Sequence, residues 1–193
     1  MEKLELEARD LDKTTWKDFE QLFLKYGGVQ AGCWCMYYHR TGGTQGKTLE
    51  ERTERNHRDI HDLVFSGKNR SVLIYHKGKA IASAQYGTTD ELPRPGNGRN
   101  YKALNLPETR KKLWRITCFF VDREYRRKGI SKFALDEILR RIETSGGGIV
   151  EAFPVRDFRA LNTWFGVVSM YRNRGFETVA QLGRSSFLVR KEI

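Results

Sequence analysis

A chain of 193 residues that is 39% hydrophobic and carries 11 Phe, 8 Tyr and 4 Trp can bury a core, and it is too apolar for a disordered basic tail. Its 35 Lys and Arg against 24 Asp and Glu leave a charge of +11, which favours anionic partners without saying which. No apolar run reaches the roughly 18 to 20 residues of a membrane span, and Cys33, Cys35 and Cys118 fit no disulfide scaffold. With a leaderless start, MEKLELEARD, this sets the expectation of a cytoplasmic chain of one domain, 1–193, without a membrane partner.

Residues 4–8 alternate apolar and acidic as a half-buried strand does, and Trp16, Phe19, Phe23 and Tyr26 recur at helical spacing, with Thr15 and Asp18 as a capping pair. A Gly-rich loop over 27–47 holds the cluster CWCMYY. A second helix starts at Thr48, with Glu51 three residues on, and runs to about Phe65. RSVLIYHKGKAIASAQYG reads as a hairpin turning at Lys77 and Gly78, followed by a long connection over 88–112. LWRITCFFV is a central strand, and the next helix turns Phe133, Leu135, Ile138, Leu139 and Ile142 inward. The strand GIVEAFPV completes a βαβ unit, which implies neighbouring parallel strands. A short helix near 169–174 and two strands, FETVAQ and SSFLVRKE, end the chain.

The basic stretch REYRRKGISK, Arg123 to Lys132, lies between the central strand and the amphipathic helix. A helix start presents backbone N–H groups without intrahelical partners, and Gly129 lets an anion approach the backbone closely. Arg126, Arg127, Lys128 and Lys132 add charge in a geometry that suits a pyrophosphate. The spacing is neither G-x-G-x-x-G nor G-x-x-x-x-G-K-[ST], which argues against nicotinamide dinucleotides and nucleoside triphosphates. A merely solvated basic helix start is the competing reading.

VDREYRRKGIS resembles the acetyl-CoA-binding motif of the GNAT family of N-acetyltransferases, an Arg or Gln followed by x-x-Gly-x-Gly/Ala. Arg126 and Gly129 match it, and Ser131 departs while staying small. SMYRNRGFE resembles the family's late Tyr-x-x-x-Gly-Phe element through Tyr171, Gly175 and Phe176, and the order of elements agrees with that fold. CWCMYYHR, LPRPGNGRNY, WRITCFFVDREYRRKGIS, EAFPV and FGVVSMYRNRGFE together resemble a bacterial subgroup. The resemblance implies an α/β acyl-CoA N-acyltransferase fold: a mixed, mostly antiparallel sheet with a central splayed parallel pair and flanking helices. It implies that acetyl-CoA is the cosubstrate, its pantetheine arm along the backbone of Phe119, Phe120 and Val121, its pyrophosphate on Arg127, Lys128, Gly129, Ile130, Ser131 and Lys132. It also implies that Tyr171 protonates the departing thiolate and that Glu151 is a general base.

Side-chain chemistry leaves alternatives beside these roles. Tyr171 can be a packing residue, and Glu151, which interrupts an apolar strand, can face solvent. C-x-C spacing without a second thiol pair does not make a zinc site, so no metal is expected, and Cys118 reads as a buried thiol. His57 and His61 read as a solvated helix face. Trp34, Tyr37, Tyr38 and Tyr101 would shape a pocket for the acceptor, a small-molecule or peptide amine. Two rival functions remain, a basic nucleic-acid-binding module and an acetyl-CoA sensor without turnover. The acceptor's identity and the choice between monomer and homodimer stay open.

Overall fold

The computed structural model describes residues 4–42, 48–157 and 163–193. Strands β1 (Glu7–Asp10), β2 (Ser71–His76), β3 (Lys79–Thr88), β4 (Leu113–Val121), β5 (Ile149–Ala152), β6 (Glu177–Gln181) and β7 (Phe187–Glu192) form one sheet in the order β1-β2-β3-β4-β5-β7-β6. The helices are α1 (Trp16–Leu24), α2 (Leu49–Phe65), α3 (Arg99–Lys102), α4 (Ile130–Thr144) and α5 (Val168–Arg172). β4 and β5 run parallel, and the other neighbouring strands are antiparallel. The parallel pair is the one that α4 connects, as a crossover requires.

Two cores sandwich the sheet. On one face Trp114, Ile116 and Val150 pack with Leu135 and Ile138 of α4 and with Met170 and Tyr171 of α5. On the other, Phe19 and Phe23 of α1 and Ile60 and Val64 of α2 meet Leu73, Tyr75 and Phe120. α2 begins where its spacing predicts: the Glu51 N–H donates to Thr48 Oγ1 at 3.1 Å, and the Thr48 N–H donates to the Glu51 carboxylate at 3.3 Å.

Several expectations need correction. The first strand lies at 7–10 rather than 4–8, because Glu7 to Asp10 are the residues that pair with β2. Thr15 and Asp18 do not cap α1; Thr15 Oγ1 donates to the Asp10 carbonyl at 2.8 Å, and Asp18 accepts from the Tyr75 hydroxyl at 2.7 Å. Tyr26 lies beyond the end of α1. Along α4, Ile130 and Ala134 are buried, while Phe133 and Leu139 are only half-buried. His57 and His61 are half-exposed, as a solvated face requires, and their rings also lie 5.6 and 5.1 Å from that of Trp16. Within the 88–112 connection stand a turn of 3-10 helix, Arg94–Asn97, and α3. The last residues of the 27–47 loop, 43–47, lie outside the described residues.

The feature that shapes the site is a break in register. β3 pairs Gln85 with Cys118 but Tyr86 with Ile116, so Thr117 is one residue too many in β4. Such a bulge bends its strand. Pairing with β5 ends at this point, at Ile116 and Ala152, and β4 continues to Val121 paired with β3 only, while Phe153–Val155 diverges from it. The opening in the sheet begins at the bulge.

The turn from α4 into β5 sets the register of the parallel pair. Gly148 has φ +131°, and a Cβ there would lie 2.2 Å from the carbonyl oxygen of Lys112. Gly148→Ala should therefore destabilise by about 3 kcal/mol and lower Tm by roughly 5 to 10 °C in thermal denaturation. Gly146→Ala, at a position with nothing within 4 Å of the added carbon, should cost about a third of that.

Candidate active site

Arg127 and Gly129 adopt φ of +63° and +82° at the start of α4. This leaves the backbone N–H groups of Arg127, Lys128, Gly129, Ile130 and Ser131 without a backbone acceptor among the described residues, while the Lys132 and Phe133 N–H groups donate to the Gly129 carbonyl. Successive free N–H groups at the positive end of a helix make an anion-binding concavity. The space beside Gly129 is open, with no atom within 4 Å of where a Cβ would stand. Arg127, Lys128 and Lys132 are exposed around it. Arg126 is exposed as well, and its Nε donates to the Val121 carbonyl at 3.1 Å, which fastens the turn to the end of β4.

Asp122 anchors the same turn. Its carboxylate is fully buried and accepts from Lys25 Nζ at 2.9 Å, the Tyr26 hydroxyl at 2.7 Å and the Glu124 N–H at 3.1 Å. Burial pushes this carboxyl up, and the bonds from Lys25 and Tyr26 outweigh it and hold it below the usual carboxylate range. The end of α1 is thereby tied to the start of the anion site.

Beyond the bulge, the edge of β4 that faces β5 carries no strand partner among the described residues. Phe119 and Phe120 bury their rings in opposite cores. The Asp122 N–H donates to the Ile81 carbonyl of β3, so by the alternation of a strand Phe120 turns its backbone groups toward β3 and Phe119 and Val121 turn theirs to the free edge. Residues 163–165 come against β4 here. The Phe165 ring lies 5.4 Å from that of Tyr38 and 6.2 Å from that of Phe153, and its carbonyl accepts from the Tyr171 hydroxyl at 2.9 Å. Tyr171 is fully buried, and burial, followed by the nearby Cys118 thiol, raises its pKa so that it stays protonated at any working pH. Burial, and after it the neighbouring Cys118 thiol, pushes the Cys33 thiol up as well.

Glu151 faces neither solvent nor open slot. It is fully buried, and its Oε1 accepts from the Tyr101 hydroxyl at 2.7 Å and from Arg190 Nε and Nη2 at 3.0 and 2.7 Å. Oε2 accepts from Arg115 Nε at 3.3 Å. Arg115 Nη1 donates to the Leu92 carbonyl at 2.9 Å, which pins the 88–112 connection over the strand.

Of the aromatic residues expected to line a pocket, Trp34 is a core residue: it is 1% exposed and stacks on Phe23 at 5.8 Å. The chain reaches this burial through positive φ at Val29, Ala31, Trp34 and Cys35, a strained run of the kind found beside functional sites. Tyr37 is exposed beneath the Arg94 guanidinium, 4.1 Å from its ring centre. Tyr38 is buried and accepts from Trp164 Nε1 at 2.8 Å, and Tyr101 lies 6.1 Å from the Phe153 ring. Near them a groove of about 690 Å³ runs between α2 and the residues after β3, with Asp59, Asp62, Asp90 and Glu91 in its wall. Asp59 and Glu91 are paired with Arg40 and Arg70. No cluster of three or more His, Cys, Asp or Glu among the described residues could hold a metal ion.

Sequence reasoning missed Arg115, Thr117, Gln85, Asp122 and Arg190. The first three share the signal that singled out Glu151, a polar residue interrupting an apolar strand. Thr117 Oγ1 donates to Gln85 Oε1 at 2.9 Å, and the Gln85 amide donates to the Cys35 carbonyl at 3.0 Å and to His39 Nε2 at 3.1 Å. His39 Nδ1–H then donates to the Glu91 carbonyl at 2.9 Å. Burial lowers the His39 pKa, which keeps the ring neutral in this chain of bonds.

A model of the Acetyltransferase (GNAT) family matches residues 16–176. Among solved structures, ribosomal-protein-S5-alanine acetyltransferase from Vibrio fischeri aligns at 13% identity and TM-score 0.55, over 100% of this chain and 95% of its own. PaiA N-acetyltransferase from Thermoplasma acidophilum, solved with coenzyme A, aligns at 13% and 0.54, over 98% and 100%. The protein yncA from Salmonella typhimurium, solved with its cofactor acetyl-CoA, aligns at 12% and 0.54, over 97% and 93%. At these identities the likeness is one of fold. No curated protein matches this chain by sequence.

Two measurements probe the site. Gly129→Ala should weaken CoA binding at least about tenfold in calorimetry, because its methyl occupies the anion's approach, while left-handed backbone costs only about 1 kcal/mol of stability. The depressed His39 pKa makes the folded protein resist protonation that the unfolded chain accepts, so stability should fall as pH drops below about 6.5. His39→Gln should flatten the dependence of Tm on pH between about 6.5 and 5.

Proposed function

The chain belongs to the GNAT family and is an acetyl-CoA-dependent acyltransferase; from that premise we propose that it moves the acetyl group onto a primary amine by direct attack in a ternary complex. The carrying observation is a coincidence in space: the free N–H groups of Arg127 to Ser131 stand at the end of the same strand, β4, whose edge comes free after Thr117. A long ligand with an anionic middle and an arm that forms strand-like hydrogen bonds suits both features at once. In this reading the pyrophosphate rests on residues 127–132 and the arm follows Phe119 to Val121.

When bound, acetyl-CoA supplies an activated acyl thioester. The chain's part is to hold it, to admit the amine from the α1 and α2 side, and to provide a proton to the leaving sulfur. Tyr171 is our choice for that proton. Its oxygen is fixed by burial, so only rotation about the Cζ–O bond is needed to turn the hydrogen from the Phe165 carbonyl toward the sulfur. Glu151 lies under Tyr101 with Oε1 occupied three times, and we assign it the work of holding Arg115, Arg190 and Tyr101. The amine is then taken up neutral or deprotonated through water.

A nucleic-acid-binding module would interleave exposed aromatics with its cations. Among the described residues the large exposed hydrophobics are Leu24, Tyr37, Leu49, Phe65 and Val179, of which one is aromatic and basic-adjacent, Tyr37 under Arg94. The three thiols are free, and we place this single acetyltransferase domain in the reducing bacterial cytoplasm.

Tyr171→Phe separates an enzyme from a sensor. General acid catalysis contributes roughly 100-fold or more, so kcat should fall by at least about tenfold with the KM for acetyl-CoA unchanged. Equal rates across pH would remove the acid role, and absence of CoA release by the wild type over a broad amine panel would remove the transfer reading.

A further inference from the structure

We propose that the acceptor is an amine that also carries an anionic group, received by the half-buried guanidinium of Arg190, with Glu151 and Arg115 behind it. The inference rests on the transfer reading above and narrows its acceptor. Arg115 and Glu151 face each other across β4 and β5 one residue before the last pair, Ile116 and Ala152, and Arg190 faces Glu151 across β5 and β7. The three side chains therefore sit at the foot of the opening where the sheet parts.

Their charges do not cancel. Two guanidinium groups share one carboxylate, and Tyr101 is neutral because burial, and then its bond to Glu151, raises its pKa. One positive charge remains inside the protein, where field strength is greatest. Arg115 cannot offer it: its side chain is 6% exposed, Nε is on Glu151 and Nη1 on the Leu92 and Pro93 carbonyls. Arg190 can. Nε and Nη2 lie on Glu151, the Tyr101 hydroxyl stands beside the same guanidinium, and the side chain is 21% exposed, so part of its outer edge is open to a ligand. A guanidinium held rigidly from behind by a carboxylate has lost its rotamer freedom already, which strengthens the bond its outer edge forms. Glu177, opposite Arg190 on β6, is exposed and forms no ion pair with it among the described residues.

The surrounding rim carries the same sign. The Asn100 amide of α3 donates to the Leu182 carbonyl in the β6–β7 turn, and the Arg156 N–H donates to the Ser185 carbonyl of that turn at 2.8 Å. These links bring Arg99, Arg156 and Arg184 to one end of the sheet, all exposed and none paired with a carboxylate of the described residues. An amine that carries an anion gains a charge-assisted bond here that a plain amine does not form.

The test compares each common L-amino acid with its decarboxylated amine, and ethanolamine with phosphoethanolamine, by CoA release. Anion-bearing amines should show kcat/KM at least about tenfold higher, the worth of one charge-assisted hydrogen bond, and the two arms tell a carboxylate from a phosphate. Arg190→Gln should bring the ratio toward one by raising KM with kcat retained, and Arg190→Lys should restore part of it. Arg156→Gln and Arg184→Gln, on the exposed rim, should lower the ratio by about threefold without touching the buried network. Calorimetry with N-acetyl-L-amino acids against N-acetylethanolamine reads the anion site without turnover, and acetyl-CoA titration reads the transfer reading separately. Equal use of plain amines, an Arg190→Gln variant that weakens both members of a pair alike, or N-acetyl products that bind no better with a carboxylate or phosphate than without would each overturn the proposal.

Discussion

Thr117 is the residue on which the site depends. As the extra residue of β4 it ends the pairing with β5, and its hydroxyl is bonded to the Gln85 side chain, so the break in register is held by a buried hydrogen bond. Gln85 carries the constraint outward to the Cys35 carbonyl and, through His39, to Glu91. One chain of polar contacts thus fixes the bend in the strand, the CWCMYYH loop and the start of the 88–112 connection relative to one another. Buried polar networks of this kind cost stability unless every member is satisfied, and here each of these groups has its partner.

Two ionic knots complete the frame. Asp122 joins the end of α1 to the turn that precedes α4, so the cofactor end of the site is braced by the helix layer on the other face of the sheet. Glu151 joins β4, β5, β7 and α3, so the opposite end is braced by arginines rather than by apolar packing. Buried charge of this sort contributes little net stability, yet removing one partner leaves a desolvated charge behind. Such a knot favours one arrangement of groups over others, which suits a place where a substrate must be oriented.

The elements that could be read from the sequence are those whose causes are local. Thr48 and Glu51 cap a helix by their own contact, Lys77 and Gly78 turn a hairpin, and LWRITCFFV is β-prone at every position. The basic turn was legible for the same reason, since strand, glycine and helix are adjacent in the chain. Roles that depend on distant partners were not. Glu151 meets Arg190, 39 positions away, and Asp122 meets Lys25, 97 positions away, and no spacing rule connects such residues. Trp34 looked like a pocket residue because its Gly-rich surroundings suggest a surface loop, and only the left-handed turns around it carry the indole into the core. The extra residue in β4 was invisible because ITCFFV alternates poorly enough to hide a change of phase.

The most direct measurement is amide hydrogen exchange with and without acetyl-CoA, because both halves of the site consist of backbone N–H groups. Ligand should slow exchange together at Arg127 to Ser131 and at Phe119 and Val121, the start of α4 and the free edge of β4. Protection confined to exposed basic side-chain regions elsewhere, or at the helix start without the strand edge, would contradict the account of a single ligand spanning the bulged strand and the helix.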